Sequence, residues 1–413
     1  MNKGAKRTMP DDRIAVVGAG IVGRSIALAL AARGERVVLI DAADDRAAPS
    51  WGNAGHIATE QVAPIASWVT IRSMPRRLFW RGGPVGLPIA QIATWLPFAA
   101  RLVAASTPKR FAAGQAALRA MLAQAMPAWE RLAQAIGRRD LLREDGHLIA
   151  WESAASAAAG RAYWGKADTG TARLGEASAD DLARLRALSP GVVDAMRFTG
   201  TGQIADLTAL ADALDAALAA AGVERLHRHA TLERHGRRIV VEGVAATRVV
   251  IAAGVGSAAL MAAAGHAAVP LIAERGYHLR GDAAAWPADL PPVVFEDRSI
   301  IVTRYADQVQ VAGFVEFGRA DAPPDPRKSD RLCAHVTALR LPIAGPFRRW
   351  MGARPTLPDY LPAIGRSTRA DNLYYAFGHQ HLGLTLGPIT GEWVAALILG
   401  EAPVPVAFDV ERF

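Results

Sequence analysis

Residues 13–41, RIAVVGAGIVGRSIALALAARGERVVLID, run from a short apolar stretch through a glycine turn into an alanine-rich stretch, then a second apolar run closed by an acid. This pattern predicts a strand, a helix and a second strand in one βαβ unit. Residues 247–260, TRVVIAAGVGSAAL, read as another buried strand ending in small residues, whereas 141–151 and 293–316 alternate and turn like β meanders. Between them, 202–222 has the spacing of an amphipathic helix, 327–340 also reads as a helix, and WVAALILG closes the chain as a last one. Residues 82–103 are nearly uncharged, but Pro84, Pro88 and Pro97 would break a membrane-spanning helix, so a buried or cleft-lining helix pair is expected. The alternative is an interfacial patch flanked by Arg76, Arg77, Arg81 and Arg101.

A chain of 413 residues, 51% hydrophobic and 21% charged, has enough apolar material for two cores or one large one. Its single cysteine, Cys333, excludes an internal disulfide and any multi-cysteine metal site, and it sits in a predicted helix as a packed residue. The net charge of +8 comes from scattered arginines without a basic run among aromatics, so no nucleic-acid partner is expected. An anionic small substrate or a membrane surface suits that sign equally. No apolar stretch precedes Arg13, so no signal peptide is expected and the protein is placed in the cytoplasm, with peripheral contact to the inner membrane as a variation.

The first unit carries its ligand chemistry with it. Gly18 permits a tight turn, Gly20 lets a pyrophosphate approach the helix N-terminus beside Ile21 and Val22, and Gly23 lets the helix lie close on the sheet. Asp41 ends the second strand, where a carboxylate can accept the hydroxyl hydrogens of an adenosine ribose. Later segments return to the same cofactor: Ala253 and Gly254 after the 247–251 run, and PSWGNAGHI at 49–57. There Ser50, Gly52, Asn53, Ala54 and Gly55 leave room for a flat ring and offer it an amide. An N-terminal dinucleotide unit with such returns favours FAD over NAD.

With GARPTLPDYLPAIGR (352–366) and GHQHLGLTLGPITG (378–391) added, the chain resembles the D-amino-acid oxidase superfamily of FAD oxidoreductases, and within it the bacterial D-amino-acid and D-hydroxyproline dehydrogenases. The resemblance implies an α/β fold: a Rossmann-like FAD-binding domain and a second α+β substrate domain on a mixed or antiparallel sheet. The FAD domain would take residues 1–60, 105–140, 202–268 and 350–413, and the substrate domain 61–104, 141–201 and 269–349. It also implies that Gly378, His379, Gly383, Leu384 and Thr385 lie along the flavin, and that a helix beginning near Gly387 and Pro388 aims its N-terminus at the ring. Arg354 matches the arginine that binds the substrate carboxylate, with Tyr277, His278, His56 and His381 as further catalytic or pocket contacts and Tyr305 a less certain one. No metal is expected, because His379 and His381 have no partnering cysteine or acidic cluster in the sequence.

The chemistry implied is hydride transfer from the α-carbon of an unprotonated amine to flavin N5, which needs no dedicated general base. Thr356 and Leu357 stand where sarcosine-oxidase-like members carry a flavin-linking cysteine. Gly52 follows Trp51 where dimethylglycine-dehydrogenase-like members carry a linking histidine, so non-covalent FAD is expected. His56 and GHQHLGLT look more like the D-hydroxyproline type, making cis-4-hydroxy-D-proline or D-proline the first substrate guess. The electron acceptor would be a quinone or the respiratory chain, and partner subunits are not legible. The rival readings are a glycine- or sarcosine-type amine oxidase using oxygen, and a non-catalytic flavoprotein subunit.

Overall fold

The computed structural model describes residues 12–42 and 47–413, so the N-terminal stretch read above for a signal peptide lies outside the described residues up to residue 11. The βαβ unit forms as its pattern predicts: strand Arg13–Val17, helix Ile21–Ala31 and strand Arg36–Asp41. Two parallel partners extend the pair on one side, Arg248–Ile251 and Leu373–Phe377, and Glu224–His227 extends it on the other. An antiparallel edge strand, Ala363–Arg366, completes a six-stranded sheet. Its inner strands are continuous apolar runs because both faces are covered.

One face is covered by helix Ile21–Ala31 and the last long helix, Gly383–Leu399, packed on each other through Gly387 and Gly391, and the other by the hairpin Leu232–His235 and Arg238–Val241 with helix Ser257–Ala263. Residues Gln380–Leu399 are long and apolar enough to cross a membrane, but most of that stretch is buried inside the protein, as in a core helix. This helix begins at Gly383, not near Gly387, and Pro388 lies inside it. Proline cannot donate to the carbonyl four residues back and normally breaks a helix there. Here the carbonyl of Leu384 instead accepts from Trp129 Nε1 at 3.1 Å, so the helix continues through the proline.

The second sheet has nine strands and is largely antiparallel. Both predicted meanders supply it, through His147–Trp151, Val293–Phe295, Ile300–Tyr305 and Gln308–Gly318. Strand Ile272–Asp282 lies between Gln308–Gly318 and the edge strand Ala344–Thr356. The predicted 202–222 helix is shorter, Leu207–Ala220. Gly202–Ile204 is a strand, and Asp206 caps the helix by accepting from Thr208 N at 2.8 Å and Ala209 N at 3.0 Å. Residues 82–103 become a short strand, a 3₁₀ turn and the helix Ile92–Ala105, which carries Pro97 inside it. Cys333 lies half-buried on helix Pro326–Ala338.

Candidate active site

Two cavities meet at one arginine. The first, about 490 Å³, runs over the carboxyl ends of the parallel strands, where open α/β sheets bind ligands. The local sequence explains its floor. Gly18 has φ +111°, and a Cβ there would stand 2.3 Å from Ala252 O; a Cβ at Gly23 would stand 1.8 Å from Gly18 O. Only glycine lets the turn and the first helix come this close to the neighbouring strand. Gly20 gives the helix no side-chain cap, and Ser50 Oγ reaches across from the next segment to accept from Ile21 N at 3.1 Å. Asp41 stands on the wall with Oδ2 accepting from Ala19 N at 2.5 Å.

The N-terminus of helix Gly383–Leu399, also without a side-chain cap, opens on the same space. Two helix N-termini, a glycine floor and an acid at the end of the second strand fit a dinucleotide with an anionic centre. Of the residues singled out from the sequence, Gly18, Gly20, Ile21, Val22, Asp41 and Ser50 line this cavity. Gly52, Asn53, Ala253, Gly254, His379, Gly383 and Leu384 line it further along. Gly23, Ala54, Gly55, Gly378 and Thr385 stand behind it. Thr385 Oγ1, for instance, accepts from Ala58 N at 3.0 Å and ties the last helix to the chain just after strand His56–Ile57. Asn53 spends its Oδ1 on Gly55 N at 2.9 Å, and Tyr305 supports the segment from beneath by donating to Asn53 O at 2.9 Å.

The second cavity, about 440 Å³, lies under helix Ile92–Ala105, which answers the question of that apolar segment: it lines a cleft. Arg354 is on the wall of both cavities. It sits on the edge strand opposite Glu274, and Gly276 beside it leaves the guanidinium room, since a Cβ there would meet Arg354 Nη2 at 2.6 Å. Among the described residues the Arg354 guanidinium makes no hydrogen bond, and its nearest carboxylate oxygen is Glu274 Oε1 at 3.6 Å. Glu274 is buried and its other oxygen accepts from Thr356 Oγ1 at 2.9 Å. Burial, together with Glu274, pushes the Tyr360 phenol well above its ordinary range.

His381 lines the second cavity, and His379 the first. The His381 ring nitrogen Nε2 lies 2.5 Å from Gln61 Oε1, an acceptor, which assigns its proton to Nε2 and leaves Nδ1 a lone pair. Burial, aided by the charge of Arg354, lowers its pKa to about 3, so the ring is neutral at pH 7. Burial lowers His379 to about 3 as well, and its Nε2 bonds Thr390 Oγ1 at 3.0 Å.

Tyr277, His278 and His56 line neither cavity. Successive side chains of a strand point to opposite faces, and Tyr277 takes the face away from Arg354, where its hydroxyl accepts from Asp325 N at 3.1 Å. His278 is on the near face but Trp350 covers it, ring centroids 4.5 Å apart; burial, then the charge of Arg280, lowers its pKa to about 3. His56 pairs with Glu60, Nε2 to Oε1 3.2 Å, beside His147. Burial alone would raise the Glu60 carboxyl, but the charge and hydrogen bond of His56 outweigh it and hold it at about 2. Donor atoms of His56, Glu60 and His147 lie within 4.8 Å of one another, a spacing a cation could bridge. The cluster offers three ligands and lines neither cavity; His56 Nε2 meets Glu60 Oε1, while His56 Nδ1 and Glu60 Oε2 are buried without a hydrogen-bond partner among the described residues.

Sequence reading missed Trp350, Glu274, Gln61 and Arg228. Trp350 and Arg354 share a face at the strand's period of two, and Glu274 is Arg354's register partner, so strand alternation held a signal for the first and pairing for the second. Arg228 reaches the first cavity just past strand Glu224–His227, whose ERLH pattern carries no apolar signal.

Comparison with known proteins gives a consistent picture. The DAO family, described as FAD dependent oxidoreductase, matches residues 13–397. A D-amino-acid oxidase from Bradyrhizobium diazoefficiens is 30% identical, covering 98% of this chain and 100% of that protein. A D-amino acid dehydrogenase 2 from Ralstonia nicotianae is also 30% identical, over 96% of this chain and 98% of its own length. Among solved structures, glycine oxidase from Geobacillus kaustophilus superposes with a TM-score of 0.71 at 20% identity, over 97% of this chain and 99% of that one.

Proposed function

Because the chain belongs to the DAO family of FAD-dependent oxidoreductases, we propose that it oxidises the α-carbon–nitrogen bond of a D-amino or D-imino acid, with FAD held non-covalently. Bound FAD supplies the two-electron acceptor. The observation that carries the reading is Arg354: a guanidinium without a hydrogen bond among the described residues, on the wall common to a dinucleotide-shaped cavity and a second, smaller one. The relatives named for D-amino acids support the configuration.

Arg354 takes the substrate carboxylate in a two-pronged, charge-assisted pair, which fixes the α-carbon relative to the first cavity. Glu274, Thr356 and Tyr360 steady the guanidinium from behind. Neutral His381 turns Nδ1 to an amine N–H while Gln61 holds its Nε2 proton. The fixed positive charge of Arg354 disfavours the ammonium, and a ring that stays neutral adds no second acid, so the uncharged amine that the oxidation requires is the form the site can hold. Loss of hydride to the bound cofactor leaves a protonated imine, which gives up a proton to solvent and is hydrolysed by water. In this reading the FAD-binding segments are 1–60, 105–140, 202–268 and 350–413, and the substrate-binding segments 61–104, 141–201 and 269–349.

The acceptor we assign is a quinone of the respiratory chain, reached from the cytoplasmic surface of a membrane. In support, the 68–103 segment exposes Trp68, Val69, Trp80, Ile89 and Leu96, and Arg72, Arg76, Arg77, Arg81 and Arg101 stand among them. Cis-4-hydroxy-D-proline and D-proline are the first substrates to test, beside D-alanine, glycine and sarcosine. The experiment is an anaerobic flavin spectrum of the purified protein mixed with each. Bleaching by D- but not L-enantiomers supports the reading. Bleaching by glycine or sarcosine alone replaces it with a glycine-type oxidase. No bleaching by any amine, with FAD bound, leaves a non-catalytic flavoprotein.

A further inference from the structure

We propose that the second cavity is a side-chain pocket for a large apolar group, so that the preferred substrates carry a branched or aromatic side chain of leucine to phenylalanine size. This rests on Arg354 holding the carboxylate, as proposed above.

The cavity is polar at one end and apolar over the rest. Its polar end is the Arg354, Glu274, Tyr360 and His381 group, where carboxylate and amine would be held. Away from it the walls are Val85, Trp95, Phe98, Leu102, Val315 and Phe317. Phe98 and Phe317 stack with centroids 5.8 Å apart, and Trp95 spends its indole N–H on Pro88 O at 2.9 Å, so it shows the cavity only carbon. A substrate fixed at Arg354 by its carboxylate and turned toward the first cavity by its α-hydrogen has this space for its side chain. At about 440 Å³ the space far exceeds what a methyl group or a pyrrolidine ring would fill. A small side chain would leave the apolar walls wet, whereas a large one buries them and itself together.

The imidazoles that suggested a ring hydroxyl are otherwise engaged. His56 faces Glu60, His278 lies under Trp350, and His381 spends its Nε2 proton on Gln61. A hydroxyl on the substrate ring would therefore meet mostly carbon. The other arginine on the cavity wall, Arg77, is exposed and its charge reaches Tyr360 at the polar end. That makes D-glutamate the informative charged control.

The test is anaerobic flavin reduction of the holoenzyme by D-phenylalanine, D-leucine, D-methionine, D-alanine, D-proline, cis-4-hydroxy-D-proline and D-glutamate, compared as the second-order rate constant for reduction at low substrate. The expected result is a preference for the three large apolar substrates over D-alanine of at least about tenfold, since each methylene in an apolar pocket discriminates by that order. In the Ala99→Leu variant, which fills the cavity from helix Ile92–Ala105, the ratio of D-phenylalanine to D-alanine should fall about tenfold. Val315→Phe provides a second filling from the opposite wall if the first variant loses its flavin. Equal rates across the panel, or a preference for D-proline, cis-4-hydroxy-D-proline or D-glutamate, would overturn the pocket assignment while leaving the D-amino-acid reading intact. So would a D-phenylalanine to D-alanine ratio untouched by both fillings, as expected if a quinone occupies this cavity instead. Failure of every substrate to reduce bound FAD would sink the D-amino-acid reading itself.

Discussion

Trp129 Nε1 donates to Leu384 O at 3.1 Å, taking up the carbonyl that Pro388 cannot serve from within the same helix. Both groups are buried. Trp129→Phe keeps an aromatic ring but a smaller one, so it strands the carbonyl, at a cost of about 1–3 kcal/mol, and adds a cavity cost of its own. Leu384 also lines the first cavity, so the expected outcome is a lower urea midpoint together with weaker FAD retention. An unchanged midpoint would mean that the proline is accommodated by other means.

Arg354→Lys keeps the charge but replaces a planar fork with a point donor. We expect KM for the amino acid to rise by one to several orders of magnitude, as loss of a charge-assisted pair implies, with FAD content unaffected. Steady-state kinetics beside the flavin-to-protein absorbance ratio checks this, and an unaltered KM would remove Arg354 from the substrate site.

Asp41→Ala removes the acid at the end of the second strand, which also accepts from Ala19 N in the glycine turn. Gel filtration of the variant should yield protein partly stripped of FAD, recovering when FAD is added in excess. Full occupancy without added FAD would contradict the ribose role.

Acid should destabilise the protein early. His147, His278, His379 and His381 are each lowered to about 3, burial being the largest cause in every case. The fold therefore favours their neutral forms, while the unfolded chain takes up protons near pH 6.5. Their contribution is complete above pH 6.5 and is lost as pH falls toward 3, at about 1.4 kcal/mol per pH unit for each histidine. Glu60, held at about 2 against an ordinary 4.5, adds a loss of the same sign between those values. Urea midpoints between pH 8 and 4 should decline steeply below 6.5. His379→Gln, which keeps a neutral hydrogen-bonding group, should flatten the decline by one proton's worth.

The parts of the site that were legible are those whose cause is local. Gly18, Gly20 and Gly23 are required by one turn and its helix, and Asp41 by the strand that follows, so a single stretch of sequence displays them together. The start of the last helix was not legible because Pro388 suits a first turn and its true accommodation comes from Trp129, remote in sequence. Tyr277 and His278 fail to reach the cavities for two different reasons. The first is on the wrong phase of its strand, and the second is on the right phase but covered by a tryptophan from the neighbouring strand. Neither pleat phase nor cross-strand cover can be read without the register.

The edge strand Ala344–Thr356 carries Trp350 on the cofactor side, Arg354 between the cavities, and Thr356 bridged to His379 of the six-stranded half. In the proposed reading the carboxylate anchor Arg354 and the cofactor-side wall at Trp350 are thus spaced by consecutive peptide bonds rather than by the closing of one domain on another. The walls that face the side chain belong in good part to a separate helix, Ile92–Ala105, which can change its residues without moving that spacing. In such a layout reactivity and selectivity are inherited separately: a lineage can exchange the substrates it consumes by editing one helix, with the reacting distance carried along unaltered.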